Sequence, residues 1–291
     1  MPTAKIIKPG YSLQPRYLPY LLLLPALAFA VLFKLYPIFY CFFEAFHAKG
    51  QLSLQTITNL VADSAFWNSL WVTIKINVIM TPLQIVISLI MAMLVNASLK
   101  GMGIFRSLLY LPVTISMPVA AICWSMLLNY NSGVVNSFLM QFLHIARQGF
   151  FTDEQQALWC IILLCSWKGC GYWMMFFLAG LKNIDTTLYE AAKVDGAGFF
   201  ARIFNVTLPM LKKTTLFVVV ADTSTNLLLF APMQLITGGG PQGSTSVLMY
   251  EAYKQAFKYG SYEKGAAITS ILVVFILIIV FFQFKLMDEK E

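Results

Sequence analysis

The sequence predicts an all-α polytopic membrane protein with about six transmembrane helices. Of the 291 residues, 59% are hydrophobic and only 11% are charged, and the mean hydropathy is +0.73. Because about a quarter of the residues of a soluble domain are charged, this composition excludes an ordinary soluble globular protein. The apolar stretches are long and continuous, unlike the alternating segments of about ten residues in a transmembrane β-barrel. Helices, which satisfy their backbone groups internally, are therefore the structure that lipid allows.

Six stretches are long enough to cross a bilayer, whose hydrocarbon core of about 30 Å needs about 20 apolar residues in a helix. The predicted spans are 18–43, 67–95, 104–128, 157–181, 214–236 and 264–286. They define a transmembrane domain over residues 18–286, between an N-terminal tail of residues 1–17 and a C-terminal tail of residues 287–291. Ala28-Phe29-Ala30 imitates the cleavage site of a secretory signal, but the apolar run continues to Phe43, which favours an uncleaved first span.

The distribution of lysine and arginine predicts the orientation of these spans. With both termini in the cytoplasm, the inner segments carry twelve lysines and arginines, and the outer loops carry four. Positive residues accumulate on the cytoplasmic side of membrane proteins, so we predict an N-in and C-in topology. The net charge of +7 then follows from the topology and requires no nucleic-acid partner.

The longest inner loop, residues 182–213 between the fourth and fifth spans, has the signals of two short helices. Asp185 or Thr186 can cap the first helix, and Gly196 and Gly198 can end it. Pro209 can stop a second, amphipathic helix. Helices of two or three turns are marginal alone in water, so the loop must bury its apolar face against lipid or a partner protein.

A motif with fixed spacing lies in this loop. It reads Glu190-Ala191-Ala192, three residues, Gly196, nine residues, and then Val206-Thr207-Leu208-Pro209. In this pattern and position the chain resembles the permease subunits of bacterial ABC importers, whose cytoplasmic signature has Ile where this chain has Val206. Further short sequence segments resemble those of carbohydrate importers, including importers of oligosaccharides and of glycerophospho compounds. These carbohydrate-type segments are Leu111-Pro112, Trp124, Gly133, Asn136, Leu178–Leu181, Asp195-Gly196-Ala197 and Thr237–Pro241.

The resemblance implies that the chain is one permease subunit of a sugar importer in the bacterial plasma (inner) membrane. In that family the loop forms a coupling helix seated in a groove of a cytoplasmic ATPase. Glu190 would be the polar anchor, while the two alanines and Gly196 would permit close approach of the ATPase. The coupling residues implied in this way are Glu190, Ala191, Ala192, Asp195, Gly196, Val206, Leu208 and Pro209.

The same resemblance implies the other components of the transporter. They are a second homologous permease subunit, a dimer of cytoplasmic ABC ATPases, an extracytoplasmic sugar-binding protein and the sugar itself, alongside membrane lipid. The ATPase would use ATP and Mg, so this chain would bind no cofactor and catalyse no reaction. The residues leave open which sugar is carried and whether the second permease subunit is a different chain.

Two polar stripes inside the predicted spans are candidates for the translocation path. Asn77, Thr81, Gln84 and Ser88 recur at helical spacing in the second span, as do Asp222, Thr225 and Asn226 in the fifth. Side chains of these types bind sugar hydroxyls, and polar groups in membrane spans commonly face a cavity. Hydrogen bonding between helices is an equally physical reason for the same stripes. Lys168, near the middle of the fourth span, is interpreted as a structural cation that pairs with Asp222.

No cluster of residues suggests catalysis or metal binding. Residues 238–245 imitate a phosphate-binding loop in their glycines, but Ser244 stands where lysine is required. His47 and His144, the two histidines, have no neighbours at metal-ligand spacing. We therefore expect no catalytic residue and no metal site in this chain.

Three other functions remain as alternatives. An importer for a non-sugar solute would share the loop of residues 182–213, here called the coupling loop, and would differ in the carbohydrate-type segments. A freestanding secondary transporter should show repeat symmetry between its halves, and no convincing repeat is present. A membrane enzyme would need a constellation of carboxylate, His or Ser near the interface.

Overall fold

The computed structural model of the protein describes residues 17–48, 51–97 and 101–288. Most of the two predicted tails, residues 1–17 and 287–291, lies outside these ranges. The described part of the chain is almost entirely helical, which confirms the all-α fold class.

Fourteen α-helices are numbered in chain order over the described residues. They are α1 (Leu18–Ala30), α2 (Tyr36–Ala45), α3 (Gln55–Val61), α4 (Ser64–Val95), α5 (Met102–Thr114), α6 (Met117–Leu127), α7 (Val134–Phe142), α8 (Glu154–Lys182), α9 (Thr186–Val194), α10 (Phe199–Arg202), α11 (Leu208–Met210), α12 (Lys212–Leu227), α13 (Leu248–Tyr253) and α14 (Tyr262–Asp288). Turns of π-helix cover Val31–Leu35, Ile203–Thr207, Met233–Thr237 and Lys254–Lys258, and a 3-10 turn covers Phe150–Thr152. Strands β1 (His47–Ala48) and β2 (Gln51–Leu52) form a small antiparallel hairpin between α2 and α3.

Within the described residues, four helical segments are long and apolar enough to cross a membrane. They are Tyr20–Ala45, which joins α1 and α2, and then Ser64–Val95, Glu154–Lys182 and Tyr262–Lys285. Two bent pairs pass the same test together: α5 with α6, bent by 94°, and Phe199–Met210 with α12, bent by 69°. Counting each pair as one span gives up to six spans, which is the predicted number, but the second pair includes residues 199–210, which the prediction places in the inner loop 182–213. The N-in and C-in orientation stays a prediction.

The third predicted span, 104–128, is not one straight helix. Between α5 and α6 the backbone of Ile115 and Ser116 is extended. Pro118 follows in the first turn of α6, where it lacks an N–H and restricts the residue before it. Continuing one helix through this point is therefore unfavourable, and the chain turns by 94° instead.

The fifth predicted span, 214–236, is also interrupted. α12 ends at Leu227, and residues 228–230 are not helical. The π-helical turn Met233–Thr237 then completes the segment. The break separates the polar part of α12 from the glycine-rich turn that follows it.

α4 and α8 form the centre of the fold. They pack against each other along their lengths, with α5 and α12 beside them, and α14 packs against α2, α12 and α13. Ile76 and Met80 of α4 and Ile161 of α8 are at most 1% exposed in this core. Because lipid is as apolar as these side chains, close van der Waals packing and interhelical hydrogen bonds hold such helices together.

Gly171 allows α8 to approach α5 closely. A β-carbon at this position would lie 2.4 Å from the carbonyl oxygen of Leu109 and 3.2 Å from Cγ2 of Val113. The first distance is far inside van der Waals contact, and a backbone oxygen cannot move aside without shifting α5. The packing of the two helices therefore requires glycine here.

Gly171→Ala is expected to destabilise the protein by more than about 1 kcal/mol, because overpacking forces backbone shifts. The measurement is the midpoint of thermal unfolding of the purified chain in detergent. Gly103→Ala in α5 is the matched control, since no atom lies within 4 Å of a β-carbon there. The control is expected to leave the midpoint unchanged or raise it, because alanine favours a helix. Equal midpoints for the two variants would contradict the assignment of Gly171 to helix packing.

Candidate functional site

The loop between α8 and α12 begins with α9, whose start is fixed locally. Asp185 is the N-cap of α9, and its Oδ1 accepts a 2.9 Å hydrogen bond from the backbone N–H of Thr187. This bond favours the charged carboxylate and holds the pKa of Asp185 below its usual value. The negative charge also suits the positive end of the helix dipole. The predicted cap is thus present in the structure.

Gly196 ends α9 in the left-handed conformation, with φ of +78°. Its N–H donates to the carbonyl of Lys193 at 3.0 Å, and the N–H of Ala197 donates to the carbonyl of Ala192 at 2.8 Å. These two bonds form a Schellman motif, in which glycine is favoured because a β-carbon is strained at positive φ. No atom of the described chain lies within 4 Å of a β-carbon built on Gly196. Within this chain, the backbone conformation is the reason for glycine.

The second helical segment of the loop consists of α10, the π-turn Ile203–Thr207 and α11. Pro209 does not stop this segment, because the helix continues to Met210 before the chain bends at Leu211. Pro209 lies in the first turn of α11, where the missing N–H is tolerated. The 69° bend then directs the chain into α12.

A hydrogen bond ties the two helical segments together. The hydroxyl groups of Tyr189 and Thr207 lie 3.0 Å apart, and the Thr207 hydroxyl also donates to the carbonyl of Arg202 at 3.4 Å. Thr207 is buried, whereas Tyr189 is half-buried. The sequence analysis missed this pair, although a Tyr and a Thr on the inner faces of two adjacent short helices are a usable signal. The bond makes the loop a single folded unit.

The eight predicted coupling residues all lie on this loop, with different exposure. Glu190, Ala191, Asp195, Gly196 and Pro209 are exposed, and Ala192, Val206 and Leu208 are half-buried. The exposed group is available to a partner, and the half-buried group contributes to the packing of the loop itself.

Apolar side chains add to the exposed surface of the loop. Val194 is 88% exposed, and Phe199 and Phe200 are 63% and 72% exposed. Exposed apolar patches of this kind mark surfaces that a partner protein or a membrane covers.

The two polar stripes meet between α4 and α12 in a buried hydrogen-bond network. Nδ2 of Asn226 lies 3.0 Å from Oγ1 of Thr81, 3.2 Å from Oε1 of Gln84 and 2.9 Å from Oδ2 of Asp222, and these three acceptors share its two hydrogens. Nε1 of Trp173 in α8 donates to the other carboxyl oxygen of Asp222. All five side chains are at most 7% exposed. Trp173 was missed from the sequence, although a buried indole N–H needs an acceptor.

The other stripe residues are placed in two ways. Nδ2 of Asn77 donates to the carbonyl of Thr223, and the Ser88 hydroxyl donates to the carbonyl of Cys170, both at 3.0 Å. Thr225 is exposed, and its hydroxyl bonds to the carbonyl one turn earlier in α12. Six of the seven predicted path residues are therefore buried inside this chain, and Thr225 lies apart from them. That they line the translocation path stays a prediction.

Lys168 is not paired with Asp222 in the described structure. Its Nζ donates to the carbonyl of Val113 at 3.1 Å, near the C-terminal end of α5. The last carbonyls of a helix have no partner within it, and a cation near them is favourable. Lys168 therefore stabilises the break between α5 and α6.

Two of the carbohydrate-type segments have a structural explanation. Asn136 is buried, donates to the carbonyl of Gln148 and accepts from its N–H, both at 2.9 Å, and so fastens the loop after α7. Gly239 has φ of +82° and lies against the ring of Tyr250, which a β-carbon would approach to 2.8 Å. These residues shape the loops that precede α8 and α13.

Comparison with known proteins places the chain among membrane transport components. The model of the family described as "Binding-protein-dependent transport system inner membrane component" matches residues 84–289. The chain is 30% identical to the sn-glycerol-3-phosphate transport system permease protein UgpA of Yersinia enterocolitica, over 97% of each chain. It is 32% identical to the lactose transport system permease protein LacF of Rhizobium radiobacter, over 94% of each chain.

Two solved structures have a similar fold. One is a bacterial ABC transporter involved in the import of the acidic polysaccharide alginate, with a TM-score of 0.86 and 22% identity over 94% of this chain and 96% of that chain. The other is a bacterial alginate ABC transporter in complex with an alginate pentasaccharide-bound periplasmic protein, with a TM-score of 0.84 and 24% identity over 92% of each chain. The fold described above is thus the fold of a transporter subunit.

Proposed function

Because this chain belongs to the family of inner membrane components of binding-protein-dependent transport systems, we propose that it is the permease subunit of an ABC importer for sugars. It forms half of a translocation path and transmits the motion of a partner ATPase to the membrane helices. The observation that carries the proposal is the loop of α9 to α11, a folded and exposed unit joined directly to the ends of α8 and α12.

Several features support the sugar class of substrate. The relatives that the chain matches over nearly their whole length are named for lactose and for sn-glycerol 3-phosphate, both polyhydroxylated compounds. The transporter structures of similar fold are named for alginate, a polysaccharide. The carbohydrate-type segments of the sequence also favour a sugar as the substrate.

The coupling mechanism follows from the geometry of the loop. α9 is capped at Asp185, stopped at Gly196 and tied to the second segment through Tyr189 and Thr207. A displacement of the exposed surface around Glu190 therefore moves α9 to α11 as a rigid body. This movement reaches the bend at Leu211, where α12 begins. ATP and Mg belong to the partner ATPase in this scheme, and a second permease subunit and an extracytoplasmic sugar-binding protein complete the importer.

Glu190→Arg is expected to reduce recovery of the ATPase about fivefold in a pull-down of the tagged chain from detergent-solubilised membranes. Placing a cation where the ATPase meets a carboxylate removes an attraction and adds a repulsion of about 1 kcal/mol in total, which is about a fivefold change in affinity. Mass spectrometry of the co-purified proteins identifies the partners. Glu154→Arg is the matched control, since Glu154 is an exposed carboxylate at the opposite end of α8.

The outcome separates the alternatives. Support for the importer is recovery of an ATPase and a second permease with the native chain and with Glu154→Arg, and about fivefold less ATPase with Glu190→Arg. Recovery of the chain alone in every form would favour a freestanding transporter. Uptake of a radiolabelled disaccharide into vesicles, competed with unlabelled sugars, glycerol 3-phosphate, amino acids or peptides, then tests the substrate class. No uptake of the disaccharide, together with uptake of a labelled amino acid or peptide, would favour a non-sugar importer.

A further inference from the structure

A large cavity of the described chain lies where the end of α4 faces the coupling loop. Its volume is about 670 Å³. One wall is the C-terminal end of α4, with Ile90 and Leu94, and the other is the loop, with Tyr189, Phe200 and Arg202. The cavity therefore lies between a membrane helix and the unit that we propose to contact the ATPase.

The lining of the cavity is mostly apolar and includes a small number of polar residues. Ile90 and Leu94 are 46% and 66% exposed on the surface of a helix long enough to cross the membrane, so the described chain leaves this wall uncovered. The polar residues of the lining are Asn96, Tyr189, Arg202 and Thr207. An amphipathic molecule with an apolar tail and an acceptor head group matches this lining.

Arg202 lacks the partners that a neighbouring arginine has. Its Nε is buried and has no hydrogen-bond partner in the described chain. By contrast, Arg106 of α5 donates through Nε and Nη2 to the carbonyl of Val95, the last residue of α4, at 3.1 and 2.8 Å. Burying a charged donor without an acceptor is costly, and guanidinium binds phosphate oxygens well. The chemistry that would satisfy Arg202 is thus an anionic acceptor.

We infer that this cavity binds one anionic phospholipid, with its phosphate on Arg202 and an acyl chain along Ile90 and Leu94. Charge complementarity and the open apolar wall favour a lipid over a soluble anion, which would leave that wall uncovered. Basic pockets beside membrane helices are known to hold anionic head groups. The inference goes beyond the proposed transport function and does not depend on it.

The bound lipid has a structural consequence. The carbonyl of Arg202 accepts the hydrogen bond from Thr207, whose hydroxyl also contacts Tyr189 of α9. A phosphate held by Arg202 therefore links the end of α4 to both helical segments of the loop. Anionic lipid would restrain the loop against the membrane helices.

Native mass spectrometry of the full chain, purified with its partner subunits from mixed phosphatidylglycerol and phosphatidylcholine micelles, tests the inference. We expect one retained phosphatidylglycerol, and an Arg202→Gln variant whose ratio of bound phosphatidylglycerol to phosphatidylcholine is about fivefold lower. Lys182→Gln is the control, because Lys182 is an exposed cation at the end of α8 outside the cavity lining. If Arg202→Gln is not recovered from membranes, Leu94→Trp replaces it. Because this change narrows the cavity and keeps the charge, its expected result is a lower number of retained phosphatidylglycerol molecules.

Three results would overturn the inference. The first is an equal lipid ratio in the native chain and in Arg202→Gln or, where Leu94→Trp is used, an unchanged number of retained phosphatidylglycerol molecules. The second is complete displacement of phosphatidylglycerol by millimolar inorganic phosphate, which would make the cavity a site for a soluble anion. The third is cross-linking of a photoreactive residue at position 94 to a partner subunit rather than to lipid, which would make the cavity a protein contact.

Discussion

Asn226→Ala is expected to lower the free energy of unfolding by about 2–4 kcal/mol, because it leaves buried acceptors without a donor. Nδ2 of Asn226 serves Thr81, Gln84 and Asp222, which lie on two different helices. After the change, the carboxyl group of Asp222 keeps its side-chain hydrogen bonds from Trp173 and Thr81, while Oε1 of Gln84 loses the Asn226 donor. The measurement is unfolding of the purified chain in mixed micelles with increasing denaturing detergent.

Two further variants isolate the hydrogen bonds from the loss of volume. Asn226→Leu keeps the volume and removes the donor, and it is expected to destabilise the protein nearly as much as alanine. Thr225→Ala changes the adjacent, exposed residue and is expected to alter stability by less than about 0.5 kcal/mol. If Asn226→Leu restores native stability, packing rather than hydrogen bonding explains the residue.

The same variants decide between the two interpretations of the polar stripes. A network that holds α4, α8 and α12 together predicts that stability and uptake fall in parallel in Asn226→Ala. A substrate path predicts that uptake is lost while stability stays close to that of Thr225→Ala. The satisfied hydrogen bonds of the buried residues favour the first result.

Gly196→Ala is expected to reduce sugar-stimulated ATP hydrolysis by the assembled transporter by about fivefold or more. The Schellman motif holds residue 196 at φ of +78°, and alanine there costs about 1–2 kcal/mol. A loop with a frayed end transmits movement poorly, even though the membrane helices are unchanged. The readout is the ratio of ATPase rates with and without the sugar-loaded binding protein.

Gly196→Asn separates the backbone explanation from the alternative that the ATPase approaches this position closely. Asparagine is larger than alanine but tolerates the left-handed conformation better. A backbone requirement predicts that asparagine retains more activity than alanine, and close approach predicts the opposite order. Gly198→Ala is the control, because Gly198 has φ of −67° and no atom within 4 Å of a built β-carbon.

The local features of the loop are predictable because they depend on residues a few positions apart. Asp185 caps α9 through an N–H two residues away, and Gly196 ends it through bonds spanning three and five residues. Pro209 is less predictable, since a preceding π-turn lets the helix pass through it to Met210. Capping and stop signals thus locate the loop helices, whereas the residue at which the second helical segment ends depends on the surrounding packing.

The sequence by itself determined the all-α membrane fold and the loop that carries the family motif, and its six apolar stretches agree with the upper count of four to six candidate spans. Long apolar runs and helix caps depend on residues that are close together in the sequence. They can therefore be predicted without knowing which distant residues are in contact. Only the tertiary structure decided that Asn226 meets Gln84, 142 positions away, and that Lys168 meets Val113, 55 positions away, and not Asp222. Those pairings follow from which helix faces pack together, and the spacing of polar residues along one helix does not specify its neighbour.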